Sequence, residues 1–185
     1  MKEILTKHSD IIVQEVVPQH EKLSLLHPSS LNTIRLITFN HNRLVGENIC
    51  LSSVIRFGVN NKKVDNNSAG GMNCGITESG RLKAVAFNRL GAKEYKHPNT
   101  DVVFSDVVVP SFDKMQELVL NIHDRFPEFG LLSWDIAVRE DGEPILIEVN
   151  IDDADIDLHQ TNNGPIFGEY TDLILSEVFQ KNIKH

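Results

Sequence analysis

The amino-acid sequence predicts an α+β fold with a mainly antiparallel sheet and flanking helices. Short β-branched apolar runs occur along most of the chain, and amphipathic helical patterns lie between some of them. Two pairs of these runs are joined by short polar turns, which favours antiparallel hairpins. The length of 185 residues suits a single domain, 1–185, with a hydrophobic core of its own.

The composition narrows the class of protein. Acidic residues outnumber basic ones by 26 to 18, and the resulting net charge of −8 argues against a nucleic acid or an anionic membrane as the partner. No apolar run approaches the ~18 residues of a membrane-spanning helix, and the charged residues 1–10 do not form a secretory signal. Cys50 and Cys74 form neither a CxxC pair nor a zinc-binding spacing. These features predict a globular protein of a reducing compartment, the cytoplasm.

The predicted elements follow one another along the chain. They are a short helix over 2–9, a strand over 11–17 closed by Pro18, strands over 33–39 and 51–57, a hairpin over 74–87, a helix over 112–126, a hairpin over 131–150 and a final helix over 165–180. Residues 19–30 and 58–71 are polar and are predicted to be loops. The second loop is longer than most connections, which is typical of a functional or mobile segment.

The helix over 112–126 has the clearest predicted boundaries. Ser111 is a good N-cap, and Pro127 ends the helix. Its apolar residues fall on one helical stripe: Phe112, Met115, Leu118, Val119, Ile122 and Phe126. This pattern predicts a helix that packs one face against the sheet.

The second hairpin is the most informative segment. Asp141 and Gly142 stand between two alternating apolar runs, which favours a two-residue type I′ turn. That turn sets the pairing register and places Asp135 directly opposite Glu148. Because side chains alternate along a strand, Asp135, Glu148 and Asn150 are predicted to project from the same face of the sheet.

Two carboxylates opposed across a strand pair repel each other unless something compensates. Mg²⁺ is a suitable compensation, because it prefers oxygen ligands and usually takes one or two carboxylates together with substrate phosphates. Between Leu131 and Asp157 there are nine acids and one base, so this region accounts for the net charge of the whole chain. The alternative is a hairpin whose acids simply face the solvent, and a register slip of one residue would remove the opposition.

Five blocks of the sequence resemble a known family. They are IIVQEVVPQH (11–20), LNTIRLITF (31–39), VDNNSAGGMNCGI (64–76), LLSWDIAV with ILIEVN (131–138 and 145–150) and DLHQ (157–160). In this order they are similar to the C-terminal part of the ATP-grasp superfamily, in particular to its sugar-transfer-associated branch, which is found among polysaccharide biosynthesis genes. The resemblance implies an ATP-grasp C-terminal lobe that binds a nucleotide and a metal.

The resemblance also implies roles for the charged residues. Asp135, Glu148 and Asn150 would hold one or two Mg²⁺ ions, or Mn²⁺, against the phosphates of ATP. Arg35 and Arg56 would be the catalytic, phosphate-side arginines, with Arg35 the better matched of the two. From the residues alone, a lone arginine in a strand more often reaches the surface or pairs with an acid.

Further residues are implied in nucleotide and substrate binding. The hinge residues Gln14, Glu15, Val16 and Val17 would hold adenine, Glu21 would reach the ribose, loop residues Asn66, Gly70 and Gly71 would cradle phosphate or substrate, and Asp157, His159 and Gln160 would contact the substrate. Without the family, the hinge is an ordinary buried strand and the loop an ordinary surface loop. The acidic run 152–157 lacks the glycine and glutamate that an EF-hand calcium loop requires.

The reaction implied by the family is ATP-dependent ligation of a carboxylate through an acylphosphate. The setting would be polysaccharide or cell-surface sugar biosynthesis, with a small carboxylate or sugar-linked compound as substrate. The matched blocks begin at the hinge, so residues 1–185 are expected to lack the substrate domain and the sub-lobe that carries the phosphate-binding lysines.

Several alternatives remain open at this stage. In the first alternative, the chain is a non-catalytic Mg-nucleotide-binding module or remnant that needs a partner lobe. In the second it is a structural or sugar-binding domain, and in the third it is a phosphotransfer enzyme without ligase activity. An incomplete lobe would expose apolar surface, which favours self-association or the docking of a partner that brings the missing lobe.

Overall fold

The computed structural model describes residues 13–40, 47–60, 62–65 and 70–182. Its strands are β1 Ile34–Phe39, β2 Ile49–Phe57, β3 Met72–Ile76, β4 Leu82–Asn88, β5 Lys93–Glu94, β6 Leu131–Val138 and β7 Pro144–Asn150. Its helices are α1 Glu21–Leu26, α2 Phe112–His123, α3 Ile156–Asn163 and α4 Thr171–Asn182, with single 3₁₀ turns at Phe104–Asp106 and Gly168–Tyr170. Within the described residues, the seven strands form one antiparallel sheet in the order β5-β4-β3-β2-β1-β6-β7.

This α+β architecture confirms the fold class predicted from the sequence. The strands β1 and β2, both hairpins and the start of α2 lie where the patterns predict them. The helix predicted over 2–9 lies outside the described residues. None of the described helices is long and apolar enough to cross a membrane.

The two faces of the sheet differ in chemistry. Ile34 and Leu36 of β1 belong to the main hydrophobic core, which α1 and α2 cover with residues such as Leu23 and Met115. Arg35, between the two core residues, projects from the opposite face because side chains alternate along a strand. Helix α3 packs over β2, β3 and β4 on that opposite face.

The prediction of a strand over 11–17 is wrong for the residues that the structure describes, 13–17. Residues 13–18 form no strand, and Val13 and Val16 are 78% and 85% exposed. Pairing begins only at Gln19, which forms an isolated bridge with Arg139. Because β1 and β7 pair with the two edges of β6, the segment 13–17 has no free edge of β6 with which to pair.

Residues 19–30, predicted as a loop, contain helix α1. The ring of His20 caps this helix by accepting a hydrogen bond from the Lys22 amide. Leu23 and Leu26 are spaced one turn apart and are fully buried. The helix is too short to show a clear apolar period in the sequence, which explains why the pattern missed it.

Two other helix predictions need correction. Helix α2 ends at His123 rather than at residue 126, because the amides of Arg125 and Phe126 bond carbonyls only three residues back. Ser111 does not cap it with its side chain; its hydroxyl donates to the Gly142 carbonyl at 2.6 Å. The final helix, predicted over 165–180, begins later and runs over 171–182. The helix before it, α3, was not predicted from the sequence.

Candidate functional site

The β6–β7 hairpin places Asp135 opposite Glu148, which confirms the predicted pairing. The route to that pairing differs from the prediction. The turn is not a two-residue type I′ turn: the Arg139 amide bonds the Glu143 carbonyl, and Gly142 has φ +84, as in hairpins that combine a type I turn with a glycine bulge. The pairing near the turn is therefore shifted by one residue relative to the prediction.

A bulge in β7 restores the predicted register beyond Ile136. Ile136 pairs with Leu146, whereas the next residue, Asp135, pairs with Glu148, so Ile147 is the extra residue. The two shifts cancel before the carboxylates are reached. The hydroxyl of Ser111 at Gly142 holds the turn against α2 and so supports this geometry.

Asp135 is held by two arginines. The Arg35 Nε and Nη2 atoms donate to Oδ1 and Oδ2 of Asp135, each at 2.7 Å, and Arg56 Nη2 donates to Oδ2 at 2.9 Å. The three side chains are between 4% and 12% exposed. Such charge-assisted, bidentate pairing is strong and fixes the orientation of the carboxylate. The structure therefore brings together three residues that the sequence assigned to one site.

Two further aspartates, which the sequence analysis did not single out, complete this cluster. Asp155, just before α3, forms an ion pair with Arg35 Nη1. Asp65, from the long loop before β3, lies 3.8 Å from Arg56 Nε and accepts a 3.0 Å hydrogen bond from the Thr33 amide. Two guanidinium groups thus face three carboxylates. The signals in the sequence that could have found these two aspartates are the matched block 64–76, which contains Asp65, and the acidic run 152–157, which contains Asp155.

Helix α3 covers the cluster with polar side chains. His159 is fully buried, and its Nδ1 lies 2.9 Å from the Ser52 hydroxyl. Burial, together with the neighbouring Arg35 charge, lowers the pKa of His159 to about 3, so the ring is neutral at pH 7. The close approach of the helix requires Gly75, because a Cβ there would lie 2.3 Å from the Asn163 side chain.

Glu148 differs from Asp135 in its surroundings. Its side chain is exposed, and it has no ion-pair or hydrogen-bond partner among the described residues. On the same face, Nδ2 of Asn150 and the hydroxyl of the opposed Ser133 are buried without a partner in the described part of the chain. Rotation of the amide would bring an oxygen to the position of that nitrogen.

These residues fit a Mg²⁺ ion. Glu148 and Asn150 offer free oxygens, and Oδ1 of Asp135 retains a lone pair because only Arg35 Nε donates to it. Among the described residues, no three His, Cys, Asp or Glu side chains gather into a metal-binding group. A hard cation here would therefore need the amide of Asn150 and oxygens from a ligand in addition to the carboxylates.

A cleft of about 600 Å³ adjoins the cluster. Arg56 and Asp155 belong to both, and Asp157 of α3, which stays a predicted substrate contact, also lines the cleft. Arg35 does not line it. The Arg56 Nη1 atom has no hydrogen-bond partner among the described residues, so this nitrogen can donate to a ligand in the cleft.

The structure places the other predicted site residues as follows. The predicted hinge segment is largely exposed: Gln14, Glu15 and Val16 are exposed, and Val17 is partly exposed. Glu21 is exposed in the first turn of α1, and Gln160 is exposed on α3. Asn66 lies outside the described residues. Gly70 is exposed with φ +89. Gly71 is buried where a Cβ would lie 2.2 Å from the Asp65 carbonyl oxygen, so its place is set by the packing of the loop onto itself.

The seven-stranded antiparallel sheet with flanking helices is consistent with an ATP-grasp lobe. A family model described as sugar-transfer-associated ATP-grasp matches residues 4–171, and the chain belongs to that family. Membership implies nucleotide and substrate binding, and ATP-grasp proteins in general bind ATP and Mg²⁺. Searches of curated proteins and of solved structures returned no match.

Proposed function

We propose that this chain is the nucleotide- and metal-binding lobe of an ATP-dependent carboxylate ligase. The observation that carries the proposal is the confirmed opposition of Asp135 and Glu148 on the polar face, beside Arg35 and Arg56. One carboxylate is anchored by arginines and the other is free, which suits a cation that is held firmly on one side and shared with phosphate on the other.

Each residue has a distinct part in this proposal. Glu148, Asn150 and Asp135 would hold one or two Mg²⁺ ions, which neutralise phosphate charge and polarise the γ-phosphoryl group. Arg56 would donate its free Nη1 to a phosphate or substrate oxygen at the cleft. Arg35, whose three donor nitrogens are engaged with two aspartates, would position the Asp135 carboxylate.

The proposed reaction has two steps. An oxygen of the substrate carboxylate attacks the γ-phosphorus of ATP, the bond to the β–γ bridging oxygen breaks, and ADP leaves. A nucleophile such as an amine then attacks the carbonyl carbon of the acylphosphate, the carbon–oxygen bond to phosphate breaks, and the nucleophile loses a proton to solvent. We place this activity in polysaccharide or cell-surface sugar biosynthesis in the cytoplasm.

The proposal is tested by calorimetric titration of Mg²⁺-ADP into the purified chain and into Glu148→Gln. We expect saturable binding that the substitution weakens at least tenfold, because it removes a charged ligand of the cation. Glu117→Gln is the matched control, since Glu117 is also exposed but lies on α2, across the sheet. Absence of binding in the unchanged chain, or equal loss in both variants, would contradict the proposal.

A second candidate is a Mg-nucleotide-binding module that needs a partner lobe. The exposed Val13 and Val16, in the segment predicted to hold adenine, favour it, because nothing among the described residues covers these side chains and a docked lobe would bury them. Binding of Mg²⁺-ADP without ATP turnover in the presence of carboxylates, and recovery of turnover with an added lobe, would support this candidate. Turnover by the chain alone would exclude it.

A further inference from the structure

The cleft beside the Asp135 cluster is unusually polar for a ligand pocket. Seven of its ten lining residues are charged or polar. Ligand pockets have volumes of about 300–1,000 Å³ in general, and they are usually lined by apolar and aromatic side chains with only a few polar groups. At about 600 Å³, this cleft has room for a ligand of sugar size, and its polarity indicates a ligand that is itself rich in polar groups.

One wall of the cleft is the turn that follows β4. The Asn88 side-chain oxygen accepts hydrogen bonds from the amides of Leu90 and Ala92, at 2.9 and 3.0 Å, which fixes the turn. The Asn88 Nδ2 atom has no partner within the described residues and remains available as a donor. Arg89, next in the chain, is exposed and has no ion-pair or hydrogen-bond partner in the described part of the protein.

The other wall is the first half of α3. The carboxylate of Asp157 lines the cleft without an ion-pair partner among the described residues. The Thr161 hydroxyl donates to the Asp157 carbonyl at 2.8 Å and so keeps its lone pairs for a ligand. Donors and acceptors are thus mixed across the cleft, which suits hydroxyl groups, because each hydroxyl both donates and accepts. Leu158 provides an apolar surface between them.

We propose that this cleft binds an acidic sugar, a hexose ring that carries a carboxylate. Arg89 and the free Nη1 of Arg56 attract the carboxylate, and Asp157, Asn88 and Thr161 bind the ring hydroxyls. Guanidinium groups are the best side-chain partners for carboxylates. The inference rests on the proposed function, because it names the carboxylate substrate of that reaction.

The test uses D-glucuronate, D-glucose and L-glutamate, each titrated into the chain with and without saturating Mg²⁺-ADP. Glucuronate should bind at least tenfold more tightly than glucose, which lacks the carboxylate, and than glutamate, which lacks the ring hydroxyls. Arg89→Gln should weaken glucuronate at least tenfold. Arg125→Gln, which neutralises an exposed arginine after α2, is the matched control and should leave the affinity unchanged.

The outcomes separate this inference from the proposed function. Equal affinity for glucuronate and glucose, tighter binding of glutamate, or full affinity in Arg89→Gln would overturn the acidic-sugar assignment. If Mg²⁺-ADP binds to the chain and no glucuronate binds, this inference fails and the proposed function stands. If neither Mg²⁺-ADP nor glucuronate binds, both fail together. Arg89 is exposed, so thermal unfolding should verify that its variant folds normally.

Discussion

The two faces of the sheet are built from alternating residues of the same strands, yet they are held together by different forces. On one face, β1 and β6 contribute apolar residues such as Leu36 and Trp134 to a core under α1 and α2. On the other face, Arg35 and Asp135, their immediate neighbours in the sequence, form a buried ion pair under α3. Burial of apolar area stabilises a fold without needing directional partners, whereas buried charges must be paired.

This difference suggests that the apolar face maintains the fold and the polar face is arranged for binding. A buried ion pair adds little net stability compared with a well-packed apolar pair, because desolvation offsets much of the attraction. Removal of one partner is costly all the same, since it leaves the other charge buried. The comparison therefore predicts graded effects for substitutions on the two faces.

The largest effect is expected on the apolar face, for Trp134→Ala. Trp134 is 1% exposed, and its ring nitrogen donates to the Thr38 hydroxyl at 2.7 Å. Loss of this side chain should lower the free energy of unfolding by about 3–5 kcal/mol. Since Trp134 is the single tryptophan, urea unfolding must be followed by circular dichroism. Leu25→Ala, at an exposed leucine of α1, is the control, and a similar loss in both variants would contradict the assignment of the core.

On the polar face, Asp135→Asn should cost about 3 kcal/mol, because Arg35 and Arg56 would lose the charge that compensates them. Urea unfolding measures this loss. Asp101→Asn is the matched control, since it breaks an ion pair with Lys96 that is exposed on the surface, and no measurable change is expected. If Asp135→Asn is as well tolerated as the control, the buried pair does not contribute to the fold.

Histidines on both faces should make stability depend on pH. Burial lowers the pKa of His123, the last residue of α2, and that of His159, on α3, the latter to about 3. In the unfolded chain a histidine takes up a proton near pH 6.5, while the folded ring of His159 stays neutral down to about pH 3. Below pH 6.5 the unfolded state therefore binds more protons than the folded state. The contribution of the buried ring to the free energy of unfolding is fully present above pH 6.5 and decreases as the pH is lowered below that value.

For His159 alone the expected loss between pH 7.5 and pH 5 is about 2 kcal/mol, since each pH unit below 6.5 costs up to about 1.4 kcal/mol. Urea unfolding at several pH values measures the slope. The variant His159→Gln should reduce that slope, because it removes the buried ring. An unchanged slope in His159→Gln would show that the ring is protonated in the folded protein.

The same comparison explains which parts of the fold the sequence could predict. Helix α2 packs on the apolar face, and its apolar stripe made it predictable. Helix α3 packs on the polar face through residues such as His159 and Asn162, so its sequence has no apolar periodicity that would indicate a helix. Periodicity detects elements that bury hydrocarbon and misses those that bury hydrogen-bonding groups.

The candidate site shows a similar division. The opposition of Asp135 and Glu148 was predictable because it depends on a local hairpin, although two register shifts had to cancel. The pairing of Arg35 with Asp135 was not, because these residues are 100 positions apart and become neighbours only when β1 pairs with β6. Local spacing therefore indicated Asp135, Glu148 and Asn150, and the family resemblance added the arginines. Neither indicated that one carboxylate is anchored and the other free.

The smallest effect on stability is expected for Glu148→Gln, which tests that last distinction. Glu148 is exposed and without a partner among the described residues, so the free energy of unfolding in the absence of Mg²⁺ should change by less than about 0.5 kcal/mol. With Mg²⁺ at ten times its dissociation constant, the unchanged chain should gain about 1.4 kcal/mol over Na⁺ at matched ionic strength, and the variant should gain none. Thermal unfolding with the two salts measures both quantities. A Mg²⁺ gain that survives in Glu148→Gln would place the cation elsewhere, and a large loss without Mg²⁺ would make Glu148 as structural as Asp135.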